Sequence, residues 1–599
     1  MSTPASKPRI ASGLTSALVL MAAIASLSVI TWGYVTNWMI AYSSDTALIG
    51  LIARSILVRG ELPIFVWSVG YQGMLLEAYP TALFFKIFGV NPVVLNFAPA
   101  MWLWIALAVW WVSITRVFGG VAASMAVLLT VFSTPLFYHL NLRTTPNFPE
   151  ILALGGLMFT LVSSKSPRPV LMGFTVGLAL YTFAISIFFS LTLFVCAATW
   201  LYREELRRDA LLFFKTWIVP TERLASLPLA MRSVTKWLSV LALIAMFIGA
   251  INIHKSDEFD FFGRGIKWNP INAIVTAALV LIGPRLMFEL IGMLRQSKDL
   301  RVFVFKFAVG FVIGYLPALI YRVFLGGSSS KKAFASGSWS DLEERFDTLV
   351  QFHKTVFGLN GESWTSWVSA AFALVCILAF LSTSAKLVSR YIRHGHWADM
   401  RTAPWAFIIP IIFGIFLVSR SVVDIHSQRY LVFLIPVYSV AIAATVTKAW
   451  SSHAWTRPLL ITGVAGFLWH GGTAIKRDLD GAPTSGPWTT IMRELDARGL
   501  KLGYADYWLA YSTNFLSNEK ITLEPIYSNY SPHYAEPVKA AMQIAYVDFD
   551  PPRIKQIGDL MEIKGESYRV TETAKIGDGV VLRVLDKTSA EHAIQSEQQ

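Results

Sequence analysis

The chain has 599 residues, 54% of them hydrophobic and 15% charged, with a mean hydropathy of +0.52 and a net charge of +13. Soluble proteins carry roughly 25% charged residues, so this composition excludes a disordered chain, a coiled coil and a conventional cytosolic enzyme. The charge is unevenly placed: residues 471–599 hold 14 Lys and Arg against 18 Asp and Glu, so the surplus of positive charge lies in the first 470 residues.

From the N-terminus, Lys7 and Arg9 precede an apolar stretch that runs from Gly13 to Tyr34. At about 20 residues it is long enough to cross a ~30 Å hydrocarbon core as a helix. It is expected to be an uncleaved first span with the N-terminus in the cytoplasm. Comparable runs follow near 94–114, 120–138, 150–163, 170–183, 184–202, 233–251, 271–293, 303–325, 366–386, 404–419, 429–447 and 458–471, thirteen in all. Hydrocarbon offers the backbone no water to bond, so these runs are expected to be helices. Cys196 and Cys376 both fall inside apolar runs and build no disulfide framework or zinc cluster.

An odd number of spans places the two ends on opposite sides. Basic residues concentrate in the segments that this places inside: Lys7, Arg9, Arg116, Lys165, Arg168, the stretch 203–236, Arg295, Lys298, Arg301, Lys386, Arg390, Arg393, Arg401, Lys448 and Arg457. That asymmetry is the positive-inside pattern, not the basic arm of a nucleic-acid-binding protein, and no nucleic-acid partner is expected. The loops 35–93, 139–149, 252–270, 326–365 and 420–428, and everything after 471, are then extracytoplasmic. Loops as long as the first are usually functional. Its stretches 46–59 and 77–88 read as amphipathic helices lying along the membrane interface.

The tail is acidic and mixed polar–apolar. The reading is a helix over 486–499 ending at a glycine, a strand at 501–504, a helix over 506–516, strands at 520–525 and 541–548, a helix over 551–564, and a strand pair over 568–586 broken at 577–579. Residues 588–599 are expected to be frayed. The fold class is therefore a polytopic α-helical membrane protein of about 13 transmembrane helices, residues 1–471, with a small C-terminal α/β extracytoplasmic domain, residues 472–599.

Chemistry concentrates in the outer loops. Asp45 lies about ten residues past the first span, beside the 46–59 helix. In a partly desolvated site a carboxylate there can act as a general base; Ser44 or Asp45 can equally cap the helix. Glu77 can bind a sugar hydroxyl or assist Asp45, or be a solvated helix start. Tyr71 and Gln72 can pack on a sugar ring, or be ordinary interfacial residues. Arg143 suits a phosphate because its guanidinium is permanently charged and forked, or is a surface anchor; Glu150, at the opening of the fourth span, is a substrate-binding candidate or simply favours that helix's N-terminus. His139 could bind a metal, although lone histidines usually do not. Arg420, His426 and Arg429 crowd one short loop, where two arginines would suit a phosphate leaving group or pair with juxtamembrane charge.

The order Asp45-Thr46-Ala47-Leu48-Ile49, Arg59-Gly60-Glu61-Leu62-Pro63, Gly70-Tyr71-Gln72-Gly73, Glu77-Ala78-Tyr79 and Lys86-Ile87-Phe88-Gly89 resembles the first periplasmic loop of the GT-C glycosyltransferases. These include the protein O-mannosyltransferases and the lipid A aminoarabinose transferases. The resemblance continues weakly through 310–317, Phe357-Gly358, Arg429-Tyr430-Leu431 with Pro436, and Tyr504-Ala505-Asp506-Tyr507-Trp508. It implies a membrane enzyme that takes a sugar from a polyprenyl-phosphate carrier, with Asp45 as the catalytic carboxylate. The acceptor would be a hydroxyl of a lipid, glycan or protein at the periplasmic face of an inner membrane. Thr46 stands where many of the mannosyltransferases carry a second acidic residue. No cofactor follows with certainty, and a divalent metal stays open. The competing classes are a transporter or flippase for lipid-linked glycans, for which Arg285 and Glu289 are the main interior charges, and a non-catalytic envelope-assembly partner.

Overall fold

The computed structural model describes residues 9–67, 70, 72–164, 168–201, 259–260, 267–268, 298–324, 342–359, 364–419, 425–452, 454–527, 530–549, 557–576 and 580–588. Its helices are α1 (Arg9–Thr36), α2 (Ser44–Arg59), α3 (Ala78–Phe88), α4 (Pro92–Leu95), α5 (Phe97–Phe118), α6 (Gly120–Val131), α7 (Pro135–Asn141), α8 (Phe148–Val162), α9 (Pro169–Thr182), α10 (Ile187–Leu201), α11 (Lys298–Phe324), α12 (Leu342–Phe357), α13 (Trp364–His394), α14 (Trp397–Met400), α15 (Ala403–Val418), α16 (Leu434–Ser452), α17 (Arg457–Asp480), α18 (Pro487–Ala497), α19 (Tyr507–Leu516) and α20 (Ala535–Ala540).

Among the described residues six helices are long and apolar enough to cross a membrane: Gly13–Thr36, Pro92–Phe118, Lys298–Phe324, Ser366–His394, Leu434–Ser452 and Ala454–Asp480. The expected run 120–138 is instead the pair α6 and α7, bent by 87° at Pro135. Four further expected runs form shorter apolar helices, α8, α9, a stretch at Ala184–Ala197 and α15. The expected spans at 233–251 and 271–293 lie outside the described residues. The eleven expected crossings that fall on described residues thus divide into full-length, bent and short helices. The last of these helices runs further than the expected stretch 458–471: α17 continues to Asp480.

The membrane helices pack around one apolar core. Trp110 of α5 donates its indole N–H to the Leu152 carbonyl of α8 (2.8 Å) and meets Trp405 of α15 edge-to-face at 5.2 Å. Helices α9 and α11 approach to backbone contact. A Cβ at Gly173 would lie 1.9 Å from the Phe307 carbonyl oxygen, and one at Gly310 would lie 1.9 Å from that of Val170. Only glycine permits this contact, a small-residue seam typical of helices that pack in lipid. Cys196 and Cys376 are buried free thiols.

The C-terminal part is a six-stranded sheet ordered β4–β3–β5–β8–β7–β6, with β3 (Leu502–Ala505), β4 (Thr522–Pro525), β5 (Gln543–Phe549), β6 (Leu560–Ile563), β7 (Glu566–Lys575) and β8 (Val580–Lys587). A separate pair, β1 (Phe259–Asp260) and β2 (Lys267–Trp268), is antiparallel. Strands β3, β4 and β5 are parallel neighbours, with α19 crossing between β3 and β4; β5, β8, β7 and β6 are antiparallel in turn. The helix expected over 551–564 is corrected at its described end: residues 560–563 are strand β6. Lys564 and Gly565, both at positive φ, make the two-residue turn into β7, the geometry that matches the twist of a hairpin.

This sheet domain is clamped onto α2. A Cβ at Gly50 would lie 2.6 Å from the Phe515 ring, so α2 and α19 touch closely. Glu519 receives both Arg54 and Arg59 of α2 and the Tyr534 hydroxyl. Glu61 accepts from Ser55 (2.7 Å) and Trp67 (3.1 Å) and pairs with His533 at 2.5 Å. Burial opposes ionisation of Glu61, but these partners together lower its pKa. Helix α2 therefore does not lie open on the interface: ten of its residues are buried, between α3 and α19.

Candidate active site

Helix α2 begins where Ser43, in extended backbone, accepts the Thr46 amide at 3.4 Å. Ser43 is the cap, so neither Ser44 nor Asp45 is needed for that task. Ser44 instead meets Ser512 of α19 at 3.1 Å. Asp45 is left in the first turn, at the positive end of the helix. Its Oδ1 accepts the Tyr507 hydroxyl at 2.5 Å. Burial, and then the Asp45 charge, raise the pKa of that phenol, which keeps it a donor.

Asp45 opens onto a cavity of about 720 Å³ including its mouth, lined among others by Gln72, Arg143, Thr145, Arg429, Tyr430, Tyr507 and Tyr530. The site thus draws on the first loop, the loop after α7, the 3₁₀ segment Ile425–Leu431 and the sheet domain. Arg143 donates Nε to the Thr145 carbonyl at 2.8 Å, which aims its fork and leaves the terminal nitrogens for another acceptor. Burial lowers its pKa, Asp45 opposes this and Arg429 adds to it; a guanidinium that starts above about 12 stays charged throughout. Arg429 lies over the Tyr430 ring at 5.1 Å and donates to its hydroxyl at 3.3 Å, while its buried Nε has no partner among the described residues. Two guanidiniums and one carboxylate leave the cavity net positive. Gln72 sits at φ 63 and bonds Thr145 at 2.9 Å, so a strained residue ties the two loops at the cavity wall.

Of the residues expected from sequence, Asp45, Gln72, Arg143 and Arg429 come together here. Tyr71 and Arg420 lie outside the described residues, and His426 falls in the Ile425–Leu431 segment. His139 faces elsewhere, onto Asp478 at 2.7 Å. Among the described residues no group of three or more His, Cys, Asp or Glu converges to hold a metal. Tyr507, Tyr530, Tyr430 and Thr145 were not singled out as site residues. Only the short motif around Tyr504–Trp508 hinted that the tail takes part.

Glu77 and Glu150 are not on the cavity. Both are fully buried, Glu77 before α3 and Glu150 in the first turn of α8, and they face each other with no third side chain bonded to either carboxyl among the described residues. The reading of Glu77 as a solvated residue is corrected by its burial, whereas Glu150 does open α8 as expected, with its carboxyl buried. Burial first, and then the Glu150 carboxyl, raise the pKa of Glu77 well above the ordinary carboxylate range. A carboxyl raised on folding stabilises fully below its unfolded pKa and ceases to do so as pH rises through the folded value. The melting temperature of the parent should therefore fall as pH rises above the ordinary carboxylate range. Glu77→Gln, neutral throughout, should flatten that fall in a melting series; an unchanged slope would remove Glu77 as its source.

Tyr507 is expected to act by orienting Asp45. Tyr507→Phe should lower kcat by about tenfold, the scale of one hydrogen bond to a charged group, and leave KM and the melting temperature near their parental values. A merely structural tyrosine would move the melting temperature and spare kcat.

No protein-family model matches the chain, and no curated protein matches it. Among solved structures, the chain is similar to the archaeal oligosaccharyltransferase AglB from Archaeoglobus fulgidus in complex with an inhibitory peptide and a dolichol-phosphate, at TM-score 0.44 and 14% identity over 88% of this chain and 69% of that one. It is also similar to ArnT from Cupriavidus metallidurans bound to undecaprenyl phosphate, at TM-score 0.37 and 13% identity over 95% of this chain and 98% of that one. Both are GT-C membrane glycosyltransferases. At such identities and TM-scores no residue role passes from either to this chain.

Proposed function

We propose that this protein is an integral-membrane glycosyltransferase that moves a sugar from a polyprenyl-phosphate carrier to a hydroxyl acceptor at the periplasmic face of an inner membrane. The observation that carries the reading is the sharing of one cavity by Asp45, Arg143 and Arg429. In this reading the carrier phosphate lies against the two guanidiniums. The acceptor oxygen attacks the anomeric carbon, the bond from that carbon to the phosphate oxygen breaks, and the phosphate leaves with the electron pair. Asp45 takes the hydroxyl proton through Oδ2, because Oδ1 is held by Tyr507. Arginines fixed in place before charge develops on the departing phosphate lower the barrier without reorganising. A single displacement inverts the anomeric centre. The acceptor is a lipid, a glycan or a protein, and the sheet domain, which supplies Tyr507 and Tyr530, is placed to meet it.

The test is a panel of polyprenyl-phosphate sugars offered to the purified protein in lipid, with product mass and anomeric configuration read by mass spectrometry and NMR. Formation of an inverted glycosidic bond from at least one donor is expected. Movement of the intact lipid-linked sugar across the bilayer with no new bond would replace this reading with transport.

A further inference from the structure

A second cavity, of about 1370 Å³ with its mouth, opens on the other side of α7. It shares no lining residue with the cavity around Asp45. One wall is the bend between α6 and α7 (Ser133 to Leu136, with His139). The facing wall is one stripe of α17: His470, Thr473, Ala474 and Arg477, three or four residues apart. A Cβ at Gly471 would lie 1.6 Å from the Phe132 carbonyl oxygen, so α17 presses directly on the bend and the cavity is built into their junction.

Three observations give this cavity a chemistry. The first is charge. Asp478, one position beyond Arg477, is already engaged by the Tyr34 hydroxyl at 2.8 Å and by His139 at 2.7 Å. Arg477 has no carboxylate partner among the described residues, so it lends the cavity an uncompensated positive charge. The second is the imidazole. His470 Nδ1 faces the Ser366 hydroxyl at 3.3 Å; if the hydroxyl donates there, Nε2 carries the proton and is a donor. The third is depth. Arg457 opens α17 and Arg477 lies 20 residues on, a rise of about 30 Å along a helix, which is the hydrocarbon thickness. Arg457 and Arg477 therefore stand at the headgroup levels of opposite faces. Leu459, Ile461 and Trp469 of the same helix are exposed, Trp469 at the cavity rim, so the mouth is on the side that faces lipid.

We infer that this cavity binds the phosphate-bearing headgroup of a membrane lipid, held by Arg477 and His470 with Trp469 at the rim, as a site separate from the one around Asp45. A guanidinium and an imidazole N–H match phosphate oxygens, and the exposed tryptophan favours a lipid-borne phosphate over a free one. The site holds whether or not sugar transfer is the reaction.

The experiment uses the purified full-length chain and native mass spectrometry with dioleoyl phosphatidic acid as probe, dioleoylglycerol as the uncharged control with the same tails, and inorganic phosphate as competitor. The parent should retain phosphatidic acid at least tenfold more tightly than Arg477→Gln, the scale of a charge-assisted hydrogen bond. Thr473→Trp, which fills the cavity and keeps the charge, should lose the same lipid even if Arg477→Gln does not fold. Arg143→Gln should retain it, which separates this site from the cavity around Asp45. Equal retention of dioleoylglycerol, displacement by millimolar phosphate, loss only in Arg143→Gln, or unchanged retention in both cavity variants would each overturn the assignment.

Discussion

Asp45→Asn is expected to reduce sugar transfer by at least about 10²-fold, within the range of general-base contributions, and to leave the melting temperature near that of the parent. The structure separates the two roles that position 45 could have. Ser43 caps α2 through the Thr46 amide, so the carboxylate is not needed to start the helix. Asn keeps the shape and an Oδ1 that can accept the Tyr507 hydroxyl, and removes only the ability to take a proton. Product formation with the donor that the parent uses, measured beside a melting curve, gives the answer. Parental turnover in the Asn variant would exclude Asp45 as the base. A lowered melting temperature with proportionately lowered activity would return it to a structural part.

The architecture was legible in the sequence where the signal is local. Apolar runs gave the helices, because each run must close its own backbone hydrogen bonds. The strand–helix alternation from Leu502 to Phe549 followed from period and turn residues. Asp45 stood out because it follows the first span at a short distance. What depends on tertiary contact was not legible. Tyr507 reaches Asp45 across 462 positions of chain, brought there by the packing of α19 on α2 and by the clamp at Glu519 and Glu61. The mutual burial of Glu77 and Glu150 has no sequence signature, since each reads alone as a helix-end acid. Residues 560–563 carried a weak helical pattern, and pairing with Glu566–Lys575 made them a strand; the Lys564-Gly565 turn was the overlooked clue. The bend at Pro135 likewise turned one expected span into two helices.

Arg143→Gln is expected to lower kcat/KM by about 10²-fold or more, the scale of removing a preorganised donor from developing negative charge, with KM for the phosphate-linked donor rising and kcat falling together. The side chain is aimed, since its Nε is held by the Thr145 carbonyl, so its terminal nitrogens present a fixed fork. Arg143→Lys should recover only part of the loss, because an ammonium restores the charge and not the bidentate geometry. Arg429 shares the cavity and raises the positive potential felt by the same ligand, so the two arginines should not act independently. In a double-mutant cycle with Arg429→Gln the losses should be less than additive, because the second removal acts on a phosphate already poorly held. Additive losses would place the arginines on different ligand groups. A fall in melting temperature with kcat/KM preserved would make Arg143 an anchor of its loop, and the phosphate would then need another partner.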